Sequence, residues 1–418
     1  MGQGSIRTDS TPLPSGELTS AKPVFLRLTA MMLLEFVVFG SWFATLGLVL
    51  ATNGLAGSIA LAYSLAAVAT IVSPMLFGAL GDRFLPSQRV LGLAHLAGAG
   101  VMLFLPGAVR AGNGTTVLTL IFVYMLFFMP TLGLSNTIAF RHLGDNERLF
   151  PYIRVFGTVG WVVAGLGVGA LALSASPDIF YVTAIASLVL GLYAFTLPSS
   201  PPVAKGARFS LGDMIGARAF PLLRQRNVAV FFICALLTSI SLGVYNTYAS
   251  PFLGALGIEN VAGVLAIGQA SEVLFIVVIP IVLSRIGMKW ALLLGMCMWG
   301  VRFVLFIAAA DGHLSMAVAA VALHGICNDF FLVIGAMYLN QVARAEIAAQ
   351  AQNMLILVVS GLGALIGSYG AGEVYAAVVT ADSGPGDWTP LWLVPIGAAI
   401  LTTALWTAFF RDSRRSEA

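Results

Sequence analysis

Long apolar runs follow one another along almost the whole chain, separated by short polar breaks. Each run holds roughly 20 residues or more, the length that a helix needs to cross the hydrocarbon core of a bilayer. The pattern therefore predicts an all-α membrane protein with twelve transmembrane helices. The predicted spans lie near residues 25–50, 58–81, 89–110, 115–140, 152–174, 177–198, 228–255, 261–284, 289–310, 313–341, 347–378 and 388–410.

The composition excludes a soluble protein. Of the 418 residues, 59% are hydrophobic and only 9% are charged, and the mean hydropathy is +0.95. Soluble domains carry about 25% charged residues, and disordered chains combine low hydrophobicity with high charge. The three cysteines lie within apolar runs at no metal-ligand spacing, so we predict that they pack in the core. We expect neither a metal nor a cofactor.

The basic residues fall on one side of the predicted membrane. Of the 21 lysines and arginines, all but Arg110 and Arg302 lie in or next to the tails and the loops after even-numbered spans. By the positive-inside rule, these segments are cytoplasmic. An odd number of spans would break this alternation, so we expect both termini to be cytoplasmic.

A long hydrophilic segment divides the spans into two sets of six, the layout of the major facilitator superfamily. Its alternating apolar and basic residues, from Phe209 to Leu223, suit either a helix lying on the inner leaflet or a solvated linker. The predicted divisions are a disordered cytoplasmic tail at 1–24, an N-terminal six-helix half at 25–198, a cytoplasmic linker at 199–227, a C-terminal six-helix half at 228–410 and a cytoplasmic tail at 411–418.

The loop between spans 2 and 3 carries a second feature of that superfamily. The segment Gly78-Ala79-Leu80-Gly81-Asp82-Arg83 resembles its G-x-L-x-D-R signature. Asp82 and Arg83 can pair across an interface of helix ends that opens during transport, so we predict that they act in gating. The corresponding loop between spans 8 and 9 lacks the aspartate.

Few ionisable residues lie within the apolar runs. Each costs at least ~2.5–3.5 kcal/mol at bilayer depth and therefore invites a functional explanation. Glu272 has no basic residue within a helical turn on its own helix, which suits a reversible proton carrier. Asp329 either carries a proton or forms an ion pair with Arg302, and the residues leave both readings open. The full set is Glu35 in span 1, Arg154 in span 5, Glu272 in span 8, Arg302 in span 9, Asp329 in span 10 and Glu373 near the outer end of span 11.

Helical spacing places polar or aromatic neighbours beside several of these residues. In a common cavity, such groups would suit a neutral ligand with a flat ring and many hydrogen-bonding groups. Alternatively, they only hold helices together, as polar side chains in membranes also do. The sets that share a face are Arg154, Thr158 and Trp161; Gln269 and Glu272; His324 and Asn328; and Glu35, Phe39 and Trp42, while Asn246 lies in span 7.

At these residues the chain resembles the nucleoside:H⁺ symporter family of the major facilitator superfamily. The resemblance extends from about Arg27 to Phe410. It implies a transporter in the bacterial cytoplasmic (inner) membrane. The similar blocks are Gly40-Ser41-Trp42 with Thr45-Leu46-Gly47, Pro130 to Thr137, Ile153-Arg154 with Gly157 to Trp161, Gln269 to Glu272, Arg302-Phe303 and Asp329-Phe330-Phe331.

The resemblance implies uptake of purine or pyrimidine nucleosides together with protons, by alternating access. It assigns proton coupling to Glu272 and Asp329. The partners it implies are nucleosides, protons and the lipid bilayer but not nucleic acid, and we expect a monomer. The nucleoside-binding residues that it indicates are Arg154, Thr158, Trp161, Asn246, Gln269 and Glu272, with His324 and Asn328 in the same pocket.

Four residues depart from the family pattern. Gly243 stands where a Gln is expected, His324 where a Tyr is expected and Asn328 where a Phe is expected. Glu35 stands where a relative has Gln. These changes leave open another small polar cargo, such as a sugar, a modified nucleoside or an exported antimicrobial. The acids and histidines form no cluster typical of a membrane enzyme, so we do not expect an enzyme, whereas a non-transporting sensor stays open.

Overall fold

The computed structural model describes residues 15–81, 85–201, 212, 215–380 and 382–411, and every regular element in them is a helix. Within this part of the chain, nine helices are long and apolar enough to cross a membrane, or ten if a pair bent by 41° is one span. The longest of the nine, Val261–Ala310, is broken at Gly287, where φ is 75°. The apolar helix Ile179–Ala194 is too short for that count. The all-α membrane fold is confirmed, and the number twelve stays a prediction.

The helices of the predicted N-terminal half pack in pairs. Helix α1 lies along α7, α4 along α8 and α3 along α6. After short breaks, α2 continues from α1 and α5 continues from α4, so two of the spans are bent. The helices are α1 (Ser15–Gly40), α2 (Leu46–Thr52), α3 (Ile59–Gly81), α4 (Ser87–Met102), α5 (Leu105–Arg110), α6 (Gly114–Leu143), α7 (Phe150–Ala170) and α8 (Ile179–Ala194).

The predicted C-terminal half contains two π-helical segments. Asp329–Val333 joins α12 to α13, and Leu357–Gly363 joins α14 to α15. Such segments inside α-helices frequently occur at functional sites. The helices are α9 (Arg226–Ala255), α10 (Val261–Ala310), α11 (Leu314–Ala322), α12 (His324–Asn328), α13 (Ile334–Val342), α14 (Ala345–Ile356), α15 (Ala364–Val378) and α16 (Thr389–Phe409).

Helix α1 begins at Ser15, within the segment predicted to be an N-terminal tail. The boundary of that tail at residue 24 and its cytoplasmic side stay predictions.

Other predicted segments fall partly or wholly outside the described residues. Asp82 and Arg83 lie outside them, so their gating role remains a prediction. In the linker, residues 202–211 and 213–214 also lie outside. The described end of the linker forms a short 3₁₀ helix, Ala217–Arg224, which packs against α14 and buries Ala219 and Leu222. This end therefore rests on the protein.

The two halves close together on the side opposite the basic loops. The amide of Leu48 in α2 donates to Ser250 Oγ in α9 at 3.3 Å, and the amide of Ala262 in α10 donates to Ser174 Oγ at 3.2 Å. Between the halves lies a cavity of about 830 Å³, whose other end is lined by Thr137 of α6. The structure is thus closed on the predicted outer side, with the cavity extending toward the predicted cytoplasmic side.

Candidate functional site

The cavity has an aromatic wall in the N-terminal half and a polar wall in the C-terminal half. The structure brings six of the eight predicted binding residues to its surface, from helices α7, α9, α10 and α12. The aromatic wall consists of Phe39, Phe43, Tyr63 and Trp161, and the polar wall includes Asn246, Gln269, Glu272, His324 and Asn328.

Glu272 lies at the centre of the polar wall. Asn328 Nδ2 donates to Glu272 Oε1 at 2.8 Å, and His324 Nε2 lies 3.3 Å from the same oxygen. The imidazole ring of His324 stacks on Tyr245, with the ring centroids 5.3 Å apart. Glu272 Oε2 has no partner among the described residues, and the side chain is 17% exposed. One carboxylate oxygen is therefore held by the protein, while the other is available to a ligand or a proton.

A close approach of α12 to α10 creates this arrangement. A Cβ at Gly325 would lie 2.5 Å from Ser271 O and 2.7 Å from the amide nitrogen of Glu272, so only glycine fits. The Gly325 amide donates to Ser271 Oγ at 2.8 Å, which fixes the contact. The bend between α11 and α12 then starts a new helical direction at His324. Broken helices of this kind commonly form the binding sites of transporters.

The aromatic wall contains rings at angles that leave a face for a flat ligand. The Phe39 ring meets the Trp161 ring edge-on, with centroids 4.8 Å apart, and is tilted by 46° against the Phe43 ring, with centroids 4.6 Å apart. Trp42, in contrast, is fully buried and packs edge-on against Tyr124 at 5.3 Å. Of the two tryptophans considered from the sequence, only Trp161 lies at the cavity, and Trp42 belongs to the core.

Arg154 and Thr158 are not among the residues that line the cavity. The Arg154 guanidinium lies over the Phe36 ring, 4.3 Å from its centroid, and the residue is exposed. Helix α1 packs along α7, and its residue Phe36 contacts the guanidinium. The predicted contact of Arg154 and Thr158 with substrate remains a prediction.

Arg302 and Asp329 do not form an ion pair in this structure. The guanidinium of Arg302 lies 4.1 Å from the Tyr245 ring and 4.7 Å from the Trp299 ring, and its Nε donates to Ala320 O. Its two terminal nitrogens and Asp329 Oδ2 are buried without a hydrogen-bond partner. The rings of Tyr245 and Trp299 therefore contact the guanidinium of Arg302, for which the sequence had left open an ion pair with Asp329. The proton-carrying role of Asp329 remains a prediction.

The close packing of α9 against α15 explains why a glycine stands at position 243. A Cβ at this position would lie 2.8 Å from Ala364 O and 3.1 Å from Gly367 Cα, because α9 and α15 approach closely here. A glutamine at this position would need the two helices to move apart. The departure from the family pattern therefore removes a side chain from the cavity wall, and the present packing leaves no room to restore it.

Glu35 does not line the cavity, unlike the other three departures from the family pattern. It is fully buried, and its Oε2 lies 3.0 Å from His95 Nε2 on α4. Sequence reasoning missed this pair because the two residues are 60 positions apart and share no motif. Two buried ionisable residues on different predicted spans were the only signal that could have suggested it.

Comparisons with known proteins identify the family of this chain. The model of a family described as "Nucleoside H+ symporter" matches residues 23–415. The xanthosine permease of Escherichia coli (strain K12) is 31% identical over 413 residues, covering 94% of this chain and 97% of the permease. The nucleoside permease NupG of the same organism is 29% identical over 406 residues, covering 92% of this chain and 96% of NupG.

Comparison with solved structures also shows similarity to a nucleoside transporter. The crystal structure of the nucleoside transporter NupG aligns with a TM-score of 0.82 at 28% identity, covering 93% of this chain and all of that one. A peptide transporter, POT, aligns with a TM-score of 0.69 at 13% identity and therefore shares the fold alone.

Proposed function

The chain belongs to the nucleoside H⁺ symporter family, and from this membership we propose that the cavity between its halves binds a nucleoside and that Glu272 couples its uptake to a proton. The protein is a transporter of the bacterial inner membrane and not an enzyme. The observation that carries the proposal is the convergence of Asn328 and His324 on one oxygen of Glu272, in a cavity with Trp161 in its opposite wall.

The two walls match the two parts of a nucleoside. A nucleobase is flat and stacks on aromatic rings, which Phe39 and Trp161 offer. A ribose carries hydroxyls that can donate and accept hydrogen bonds, and the amides of Asn246 and Gln269 can do both. A volume of about 830 Å³ lies within the range of ligand pockets and leaves space for water beside a nucleoside.

Coupling follows from the free oxygen of Glu272. With a proton on Oε2, the carboxyl group can donate a hydrogen bond to the ligand, and without it the group can only accept. A ligand that binds one protonation state more tightly shifts the protein toward that state. Asn328 and His324 keep Oε1 in place in either state, so the change is confined to the oxygen that the ligand meets.

The transport cycle then consists of two arrangements of the halves around this site. With the outer side open, Glu272 takes a proton and the nucleoside binds between the walls. The halves rock into the arrangement described here, closed at Leu48 and Ser250. Release of the proton to the cytoplasm turns Glu272 Oε2 into an acceptor, and the nucleoside leaves.

The substitution E272Q tests the coupling role. Gln cannot exchange a proton, so we expect accumulation of labelled nucleoside to fall to the level of protonophore-treated cells. The matched control is E373Q, because Glu373 is an exposed acid of α15 away from this cavity. Full proton-driven accumulation by E272Q, with equal amounts of protein in the membrane, would exclude the assignment.

The substrate itself is tested by uptake of labelled uridine and adenosine into bacteria that lack nucleoside transport. We expect accumulation of at least one nucleoside, abolished by a protonophore. Protein confirmed in the membrane without uptake of either compound would contradict nucleoside transport.

A second candidate is a different small polar cargo, such as a modified nucleoside. Two observations favour it. Gly243 adds no side chain to the cavity wall, and the side chains of His324 and Asn328 line the cavity. Competition of uptake by a panel of nucleosides, modified nucleosides and sugars decides between the two. Competition by sugars alone would favour the second candidate.

A further inference from the structure

A buried polar cluster lies in the N-terminal half, away from the polar wall of the cavity. Glu35 of α1, His95 of α4 and Thr131 of α6 are 0%, 2% and 0% exposed. Glu35 Oε2 lies 3.0 Å from His95 Nε2, and Glu35 Oε1 lies 2.5 Å from Thr131 Oγ1. A carboxyl group shielded from bulk solvent relies on these two neighbours, because an unpaired charge in this position is very costly.

The two contacts of the Thr131 hydroxyl indicate that this cluster holds a proton. Thr131 Oγ1 lies within hydrogen-bond distance of two acceptors, Glu35 Oε1 at 2.5 Å and the carbonyl oxygen of Phe128 at 2.6 Å. A hydroxyl carries one hydrogen, so the two contacts are separate, unshared hydrogen bonds when Glu35 itself donates one of them. We infer that Glu35, together with His95 and Thr131, is a second proton-binding site of the protein, separate from Glu272.

The same geometry also stabilises the ionised carboxylate. When the proton leaves Glu35 Oε1, the hydroxyl of Thr131 can turn its hydrogen from Phe128 O to that oxygen. In the tautomer with its hydrogen on Nε2, His95 donates to Oε2 in both states. Binding and release of a proton therefore require the rotation of one hydrogen and no movement of a helix, which suits reversible exchange.

The ionisable groups around the cluster are few. On α4, His95 is the partner, and α6 carries the phenol of Tyr124, whose ring stacks on Phe128. On α7, the guanidinium of Arg154 lies over Phe36, the neighbour of Glu35 in the chain. On α8, the hydroxyl of Thr183 lies 2.8 Å from that of Ser41. No described carboxylate stands beside Glu35.

The position of the cluster connects it to transport. Phe39 and Phe128, whose centroids are 4.9 Å apart, lie between the cluster and the cavity. Thr131 follows Pro130 in α6, and the next residues, Leu132 to Leu134, line the cavity. A change of charge at Glu35 therefore acts on α6, the helix whose next residues line the cavity. The two proton sites lie in different halves, on either side of the cavity.

Infrared spectroscopy of the purified full-length protein in lipid nanodiscs tests the inference without any substrate. We expect the carbonyl stretch of a protonated carboxyl that is present in the wild type and in E272Q, is missing from E35Q, and is lost reversibly as the pH is raised. Gln at position 35 preserves both hydrogen bonds, so thermal unfolding should show that E35Q remains folded. A spectrum of E35Q identical to that of the wild type, or a band that does not respond to pH while the protein is folded, would overturn the inference.

A second variant tests the role of the switching hydroxyl. T131V has the same shape and no hydroxyl, so the Glu35 proton loses its acceptor and we expect the band to shift in frequency. The matched control is T183V, since Thr183 is equally buried but bonds to Ser41 and to the backbone. An unchanged band in T131V contradicts the inference. Neither measurement uses a nucleoside. Failure of the inferred proton site at Glu35 is therefore distinguishable from failure of the proposed nucleoside transport.

Discussion

At the scale of single residues, one oxygen of Glu272 organises the polar wall of the cavity. Its two neighbours, His324 and Asn328, stand four positions apart on one short helix. Hydrogen bonds to a charged acceptor contribute about 1.5–3 kcal/mol, more than neutral ones. This orientation prepares Glu272 for a ligand before the ligand arrives.

The substitution N328A tests this orientation. Removing the donor at 2.8 Å frees the carboxylate to rotate, so we expect the KM for nucleoside to rise about tenfold, equivalent to ~1.4 kcal/mol. Transport kinetics measure the change. N340A serves as the control, because Asn340 is bonded to Gln352 near a helix end. An unchanged KM in N328A would show that Glu272 keeps its position without Asn328.

Residue spacing predicted part of this site. The i, i+3 and i, i+4 spacings of Gln269 with Glu272 and of His324 with Asn328 indicated shared faces, and those faces line the cavity. The same spacing grouped Arg154 and Thr158 with Trp161, and of these three Trp161 lines the cavity in this structure. A face of a helix can be inferred from spacing, but which neighbouring helix covers that face depends on tertiary packing.

At the scale of helices, close approach decides where functional groups meet. The contact of α12 with α10 at Gly325 sets the distance between Glu272 and its two partners. The π-helical segment that begins at Asp329 follows directly. The polar wall therefore depends on a small residue that carries no chemistry of its own.

The substitution G325A tests this dependence. A Cβ 2.5 Å from Ser271 O forces α12 away from α10, and overpacking of this kind costs about 1–3 kcal/mol. We expect a lower unfolding temperature in detergent and loss of nucleoside uptake. In the control G370A no atom lies within 4 Å of the new Cβ, so uptake should persist. Wild-type uptake by G325A would mean that the helices can separate without disturbing the site.

At the scale of the whole molecule, the halves are closed on one side and separated by a cavity toward the other. The bonds from Leu48 to Ser250 and from Ala262 to Ser174 join them at the predicted outer side. Alternating access requires these contacts to break in each cycle. A covalent bond across this seam should therefore stop transport.

A cysteine pair at positions 48 and 250 tests this requirement, in a variant without the three native cysteines. We expect oxidation to abolish uptake and reduction to restore it. The control pair S41C and T183C lies within one half, where the two hydroxyls are 2.8 Å apart. Its disulfide should leave uptake intact. Undiminished uptake by the oxidised 48/250 pair would contradict an opening at this seam.

The sequence alone determined the membrane class, the family and most of the polar wall. These properties follow from local patterns, because a bilayer requires continuous apolar helices and a helix repeats its faces regularly. Tertiary structure alone paired Glu35 with His95, placed Arg302 against Tyr245 rather than Asp329, and made glycine necessary at positions 243 and 325. Each of these depends on the distance between helices far apart in the chain, which no pattern along a single helix contains.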